Sequence, residues 1–187
     1  MFKPSRSLMS SATLALSLAL SAGISTALAG GSHSGGHGDS ANIGKPGKAS
    51  AAKRTIEVVM KDNYYEPESL SVEEGETVRI IIHNQGMLVH EFNIGTAELH
   101  TAHQEEMMMM VEHGVLLGTK IDHDRMKMDM GNGKTMEHDD PNSVLLEPGK
   151  SAEIVWTFPS DGKLEFACNV PGHYQAGMVG MIKLSHH

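Results

Sequence analysis

The chain has 187 residues, and its 15 Lys and Arg against 23 Asp and Glu give a formal net charge of −8 at pH 7. This acidic balance argues against nucleic acid or an anionic membrane surface as a partner and suits cations or basic proteins. The chain contains one cysteine, which excludes an internal disulfide.

The first 29 residues have the pattern of a secretory signal peptide. Lys3 and Arg6 precede the apolar run TLALSLALSAGI, and the small residues at 27–29 form a cleavage site. The apolar run has 12 residues, whereas a membrane-spanning helix needs about 20. We therefore expect a soluble protein that is exported to the periplasm without a membrane span and carries a net charge of −10 once Lys3 and Arg6 are removed.

Residues 30–54 are rich in Gly, Ser and Ala and show no periodic apolar pattern, which predicts a flexible N-terminal tail. Trimming one residue beyond Ala29 would begin the mature chain with Gly31-Ser32-His33, an amine and imidazole arrangement that chelates Cu(II). A plain solvated tether is the alternative reading of the same composition.

From residue 55 the pattern changes to short runs typical of β-strands, separated by Glu-Gly, Pro-Gly and Asp-Gly turns. Several of the runs alternate apolar and polar residues, as half-buried strands do. The predicted strands are 55–60, 69–72, 77–84, 88–94, 143–149, 151–158, 163–168 and 177–184. Eight short strands predict an all-β domain, a β-sandwich, over residues 55–187.

A long insertion, at about 97–141, interrupts these strands. Its first part, through about residue 117, is rich in Ala, Glu, Gln and Met and is predicted to be helical. Its second part is polar, contains Gly131 and Gly133, and is predicted to be irregular. A segment of this length inside a small sandwich is usually functional or disordered.

The single cysteine begins a spaced motif near the C-terminus. Cys168, His173 and Met178 follow the pattern C-x4-H-x4-M, in which the cysteine ends one predicted strand and the methionine opens the next. A thiolate, an imidazole and a thioether are three of the four ligands of a blue-copper site, whose remaining ligand is a second histidine. His90 is the best candidate, because it stands on a strand just after a turn; His83, in the middle of an apolar run, is the weaker alternative.

Two segments carry a resemblance to a known family. HNQGMLVHEFNIG and FACNVPGHYQAGMVGMIKL resemble the ligand segments of cupredoxins, the Greek-key β-sandwich copper proteins that include plastocyanin and azurin. The resemblance implies one type 1 copper with His90, Cys168 and His173 as equatorial ligands and Met178 as the axial ligand. It also implies that Asn84 braces the ligand loop and that Asn169 donates hydrogen bonds near the metal. Within the family, the chain is most similar to CopI-type cupredoxins associated with periplasmic copper tolerance, which share a His-rich leader and a Met/His-rich insertion.

Other chemistries fit these residues less well. A cysteine nucleophile would need the imidazole as its base and a third group to orient that base, and the methionine would have no role. Structural zinc takes four Cys or His ligands, so one cysteine with a thioether is a poor set.

The insertion contains candidates for accessory copper sites. Thioethers favour Cu(I). On a helix, His103, Met107 and Met110 would share one face, because they are spaced by four and then three residues. The alternative is that the methionines simply pack against the sandwich, since methionine fills cores well. The accessory candidates are Met107, Met110, Met126, Met128, Met130 and His103.

These observations predict a periplasmic type 1 copper-binding protein that contributes to copper tolerance by binding copper, either to sequester the ion or to oxidise Cu(I). The alternative is an electron-transfer cupredoxin that shuttles electrons between redox proteins. A true cuprous oxidase would need an outlet for its electrons, because one mononuclear site cannot by itself reduce O2 to water. Copper ions and a redox partner protein are the expected partners of what we expect to be a monomer.

Overall fold

The structure, a computed structural model, describes residues 42–129, 135–137 and 140–186. Within these ranges two five-stranded sheets pack on each other. The strands of the first sheet are, in spatial order, β1 (Lys45–Pro46), β10 (Ser151–Thr157), β5 (Thr77–Asn84), β2 (Arg54–Lys61) and β3 (Tyr64–Glu66). The strands of the second sheet are, in spatial order, β4 (Ser69–Glu73), β12 (Val179–Ser185), β11 (Leu164–Ala167), β6 (His90–Gly95) and β9 (Ser143–Leu146). The predicted all-β sandwich is confirmed, and each of its eight predicted strands is present.

The core lies between the sheets and follows from the alternation of the strands. In β5 every second residue is buried, so Val78, Ile80 and Ile82 point inward. Strand β6 instead has all six residues buried, because it is flanked by β11 and β9 and is also contacted by the helix of the insertion. Aromatic rings fill the space between the sheets: Tyr65 stands edge-on to Phe166, with ring centroids 4.9 Å apart.

The sandwich begins earlier than the sequence predicts. Lys45 and Pro46 form strand β1 on the edge of the first sheet, and a short 3-10 helix follows at Ala49–Ala51. The indole Nε1 of Trp156 donates a hydrogen bond to the carbonyl of Ile43 at 2.8 Å. The last part of the predicted tail is therefore held by backbone pairing, which its composition of small residues does not reveal. The predicted signal peptide and residues 30–41 lie outside the described residues.

The insertion contains helix α1 (Ala97–Glu112) and a two-stranded antiparallel sheet of β7 (Lys127–Asp129) and β8 (Thr135–Glu137), so its second part is not wholly irregular as predicted. Thr96 caps the helix by accepting a hydrogen bond from the backbone of Leu99. The helix ends five residues before the predicted end, because Gly114 adopts a φ of +71° that stops the helical repeat. One face of α1 is buried in a second small core, formed by Met107, Met110, Val89, Val115, Leu116 and Ile121.

Asn84 fixes the turn that leads into β6. Its buried side-chain amide donates to the carbonyls of Leu88 at 2.8 Å and Leu146 at 2.7 Å. Its side-chain oxygen accepts from the backbone N–H of Gly86 at 2.9 Å. The turn is thereby held against strand β9, and this sets the position of His90 at the start of β6.

Candidate metal centre

Cys168, His173 and His90 meet at one end of the second sheet. Strands β6 and β11 are antiparallel neighbours, with Ala167 opposite Asn93, so the end of β11 lies beside the start of β6. Cys168 directly follows β11, and His90 is the first residue of β6. His173 stands in the turn that connects β11 to β12.

The three donor atoms face one another. The Sγ of Cys168 lies 3.3 Å from Nδ1 of His173 and 3.9 Å from Nδ1 of His90. The two Nδ1 atoms are 3.2 Å apart. Zinc and similar transition metals bind histidine nitrogen and cysteine sulfur at about 2.0 to 2.3 Å. Two such donors to one ion therefore lie at most about 4.4 Å apart. All three separations satisfy this limit, and one sulfur with two imidazoles is a donor set that suits copper.

Met178 is attached to both ends of this loop through its backbone. Its carbonyl accepts a hydrogen bond from the N–H of Cys168 at 3.1 Å, and its own N–H donates to the carbonyl of His173 at 3.0 Å. The side chain of Met178 is fully buried in the main core. The structure thus brings the fourth predicted residue to the same loop as the cysteine and histidine.

Asp62 orients the imidazole of His90. Its Oδ1 lies 2.9 Å from Nε2 of His90 and also accepts hydrogen bonds from the backbone N–H groups of residues 87 and 88. Because a carboxylate accepts, Nε2 carries the proton and Nδ1 keeps its lone pair toward the other two donors. Gly86 leaves room for this contact, since a Cβ at that position would overlap Asp62 Oδ1 and lie 2.8 Å from Nε2 of His90.

Glu91 is a fully buried carboxylate beside the centre. Its Oε2 accepts from the backbone N–H of Asn169 at 3.1 Å and from the side-chain amide of Asn169 at 2.9 Å. Its Oε1 accepts from the hydroxyl of Ser143 at 2.7 Å and lies 2.9 Å from Nε2 of His103. The backbone N–H of Glu91 donates to Sγ of Cys168 at 3.3 Å. These partners compensate for the burial of a charge and tie the cysteine loop to β9 and to helix α1.

Burial sets the protonation of the three donors. It raises the pKa of the Cys168 thiol to about 12, and the nearby charge of Glu91 adds to this effect. Burial lowers the pKa of His90, against the opposing effect of Asp62, and it also lowers the pKa of His173. At neutral pH the metal-free centre therefore holds one protonated thiol and two neutral imidazoles, and binding of a metal has to displace one proton.

The accessory candidates in the insertion do not all share one surface. Met107 and Met110 lie in the second core at 0% and 2% exposure. His103 lies between two carboxylates, those of Glu91 and Glu106. Met126 is partly buried against the second core. Met128 lies in strand β7, and Met130 falls outside the described residues.

Asp62 and Glu91 contact the candidate centre and were not predicted from the sequence. Asp62 sits in a turn 28 residues before His90, and no spacing rule links the two. Glu91 did leave a signal, because a charged residue inside the apolar run LVHEFNI is expected to be paired when that run is buried. Asn169 was expected to act near the metal, and its side-chain amide reaches the carboxylate of Glu91.

This sandwich, with a cysteine and two histidines gathered at one end, defines a cupredoxin-like protein. The family model of the cupredoxin-like domain matches residues 38–114. Among solved structures, auracyanin B aligns with a TM-score of 0.54 at 21% identity, over 78% of this chain and 99% of that chain. Dithionite-reduced auracyanin from Roseiflexus castenholzii aligns with a TM-score of 0.50 at 23% identity, over 72% of this chain and 98% of that chain.

Two curated relatives indicate the particular cupredoxin family to which the chain belongs. The copper-resistant cuproprotein CopI of Pseudomonas aeruginosa is 52% identical over 146 residues, which cover 75% of this chain and 81% of the relative. The protein of the same name from Rubrivivax gelatinosus is 38% identical over 156 residues, which cover 82% of this chain and 81% of the relative. The chain belongs to the CopI family of cupredoxins.

Of the residues that the structure describes, none forms a helix that is both long enough and apolar enough to cross a membrane.

The raised pKa of Cys168 leads to a prediction for the metal-free protein. Alkylation of this thiol by iodoacetamide should be slow at pH 8 and should rise about tenfold per pH unit toward pH 12, because the thiolate is the reactive form. Mass spectrometry of the alkylated fraction measures the rate, and the chain unfolded in urea is the control, with an inflection near the ordinary value of 9.0. An inflection below pH 9 in the folded protein would contradict this account of the site.

Proposed function

We propose that this protein binds one copper ion in a type 1 centre, which His90, Cys168 and His173 would hold. The observation that carries the proposal is the meeting of one sulfur and two imidazole nitrogens within 3.9 Å of one another. The copper-resistant cuproproteins of the same family support the choice of metal. Met178 is the proposed fourth ligand, because its backbone is hydrogen-bonded to both Cys168 and His173 and its side chain is buried.

The residues around the proposed copper site suit a one-electron redox reaction. When bound, copper supplies the Cu(II)/Cu(I) redox couple. The chain holds the thiolate in a buried position away from other oxidants, and the backbone N–H of Glu91 stabilises the charge on Sγ. Asp62 holds the His90 ring in place, and Asn84 holds the turn before it. Ligands held by the fold in this way need little rearrangement between the two oxidation states.

At the level of the cell, we propose that the protein acts in the periplasm after removal of residues 1–29 and contributes to copper tolerance. Cu(I) is the proposed substrate: it would bind at the thioethers of the insertion, lose one electron to the type 1 centre and remain as Cu(II). The centre would then pass that electron to an outside redox protein, because one ion stores one electron. Met126, Met128 and Met130 carry this proposal, since Met107 and Met110 are buried.

The second candidate function is that of an electron carrier between redox proteins. A mononuclear centre that exchanges one electron favours it, and in that case the insertion would serve structure or docking. The two candidates differ in whether the thioethers of the insertion bind Cu(I).

The ligand assignment predicts the result of Cys168→Ser. This variant should lose the intense visible absorption band of the copper-loaded protein, because that band requires the thiolate bound to copper. Visible absorption after loading with one equivalent of Cu(II) measures the loss, and His83→Gln, which alters a histidine bonded to Ser151 on the other sheet, is the control that keeps the band. A Cys168→Ser protein with an undiminished band would refute the assignment.

The contact between Asp62 and His90 predicts the result of Asp62→Asn. This variant should bind Cu(II) about 10- to 100-fold more weakly and have a higher reduction potential, since a neutral amide no longer raises the basicity of the imidazole. Competition with a chelator and redox titration measure the two effects. Asp161→Asn, an exposed position, is the matched control. If both variants behave like the parent protein, Asp62 does not orient the ligand.

The Cu(I) proposal is tested by replacing Met126, Met128 and Met130 together with leucine, which keeps side-chain size and removes the sulfur. The number of Cu(I) equivalents bound in competition with a chromophoric chelator should fall by one, while the visible band of the type 1 centre remains. Met181→Leu, an exposed methionine outside the insertion, is the matched control. An unchanged number of equivalents and unchanged copper tolerance in cells would favour the electron carrier.

A further inference from the structure

A second group of ligand-type side chains lies outside the type 1 centre. His103 and Glu106 stand one turn apart on helix α1, and Asp140 precedes strand β9. One donor atom from each of these residues lies within 4.8 Å of the other two. One imidazole nitrogen of His103, Nδ1, is 3.0 Å from Oε2 of Glu106. The fold therefore brings one imidazole and two carboxylates together from two separate segments of the chain.

His103 is oriented from behind by a carboxylate that is not part of this group. Its Nε2 lies 2.9 Å from Oε1 of Glu91, which is fully buried, so Nδ1 is directed toward Glu106. The side chain of His103 is 11% exposed, whereas that of Glu106 is 53% exposed, so the group lies at the surface with its histidine anchored in the interior. A histidine that ligates a metal is commonly held in this way, with its second nitrogen bonded to a buried carboxylate.

The charges around His103 favour a cation at this position. Burial alone would lower the pKa of His103, but the negative charges of Glu91 and Glu106 and their hydrogen bonds outweigh it and raise this pKa to about 10. The carboxylates of Glu91 and Glu106 each face one ring nitrogen of His103. A divalent ion among these carboxylates would bind the imidazole as a neutral ligand.

We propose that His103, Glu106 and Asp140 form a second metal site, which binds a divalent ion of borderline hardness, Cu(II) or Zn(II). One nitrogen and two oxygen donors suit such ions and exclude Cu(I), which prefers sulfur. The site is thus distinct in chemistry from the thioether segment of the insertion. Glu91 joins it to the type 1 centre, since the same carboxylate holds His103 and Asn169, the residue that follows Cys168. The inference does not depend on whether Cu(I) is oxidised.

The test is calorimetric titration of the full mature chain with Zn(II), in the parent protein and in three variants. Glu106→Gln and Asp140→Asn remove one proposed oxygen ligand each, and Glu105→Gln removes the same charge one residue away on the exposed part of helix α1. Histidines elsewhere in the chain and the type 1 centre contribute equally to all four proteins, so the difference between variants isolates the site. Glu106 is exposed, so its amide variant should fold, which far-UV circular dichroism checks.

The proposal expects Glu106→Gln and Asp140→Asn to lose one Zn(II) equivalent or to bind it at least about tenfold more weakly, while Glu105→Gln matches the parent protein. It also expects Zn(II) to shift the NMR signals of the His103 ring nitrogens in the parent and in Glu105→Gln. Identical stoichiometry and affinity in Glu106→Gln and Glu105→Gln would overturn the site. So would ring signals of His103 that do not respond to Zn(II) in the parent protein.

Discussion

The antiparallel pairing of strands β6 and β11 is the constraint on which the metal centre depends. It places the end of one strand beside the start of the other, and so joins Cys168 to a histidine 78 residues earlier in the chain. The connection from β11 to β12 then folds His173 and Met178 back over the same point through two backbone hydrogen bonds, from Cys168 to Met178 and from Met178 to His173. Because sheet pairing and a short turn fix the positions of the proposed ligands, the candidate centre is held rigidly by the sandwich.

The buried carboxylate of Glu91 adds a second constraint, which links the centre to the insertion. A charge in this position is tolerated because Asn169, Ser143 and His103 surround it, each from a different part of the chain. Removing one of these partners would leave part of a buried charge uncompensated, which is costly in a low-dielectric interior. The carboxylate of Glu91 therefore connects the helix of the insertion to the loop that contains Cys168.

The insertion combines two kinds of donor that differ in hardness. Its methionine sulfurs suit Cu(I), whereas the imidazole and carboxylates of His103, Glu106 and Asp140 suit divalent ions. The methionines also differ in burial, because Met107 and Met110 are buried in the second small core beside helix α1. The insertion therefore carries both donor classes within one segment of the chain.

The sequence by itself determined the sandwich, its eight principal strands and the grouping of Cys168, His173 and Met178 in one short segment, because strand alternation and the C-x4-H-x4-M spacing are local patterns. His90 was predicted separately, from its position on a strand just after a turn. Helix α1 was predicted too, except for its end, where the φ of Gly114 decided the stop. Only the tertiary structure revealed Asp62, Glu91 and the pairing of Lys45 with Thr157. Contacts between residues so far apart in the chain leave no periodic trace, since they depend on which strands become neighbours and on which side chains are buried between them.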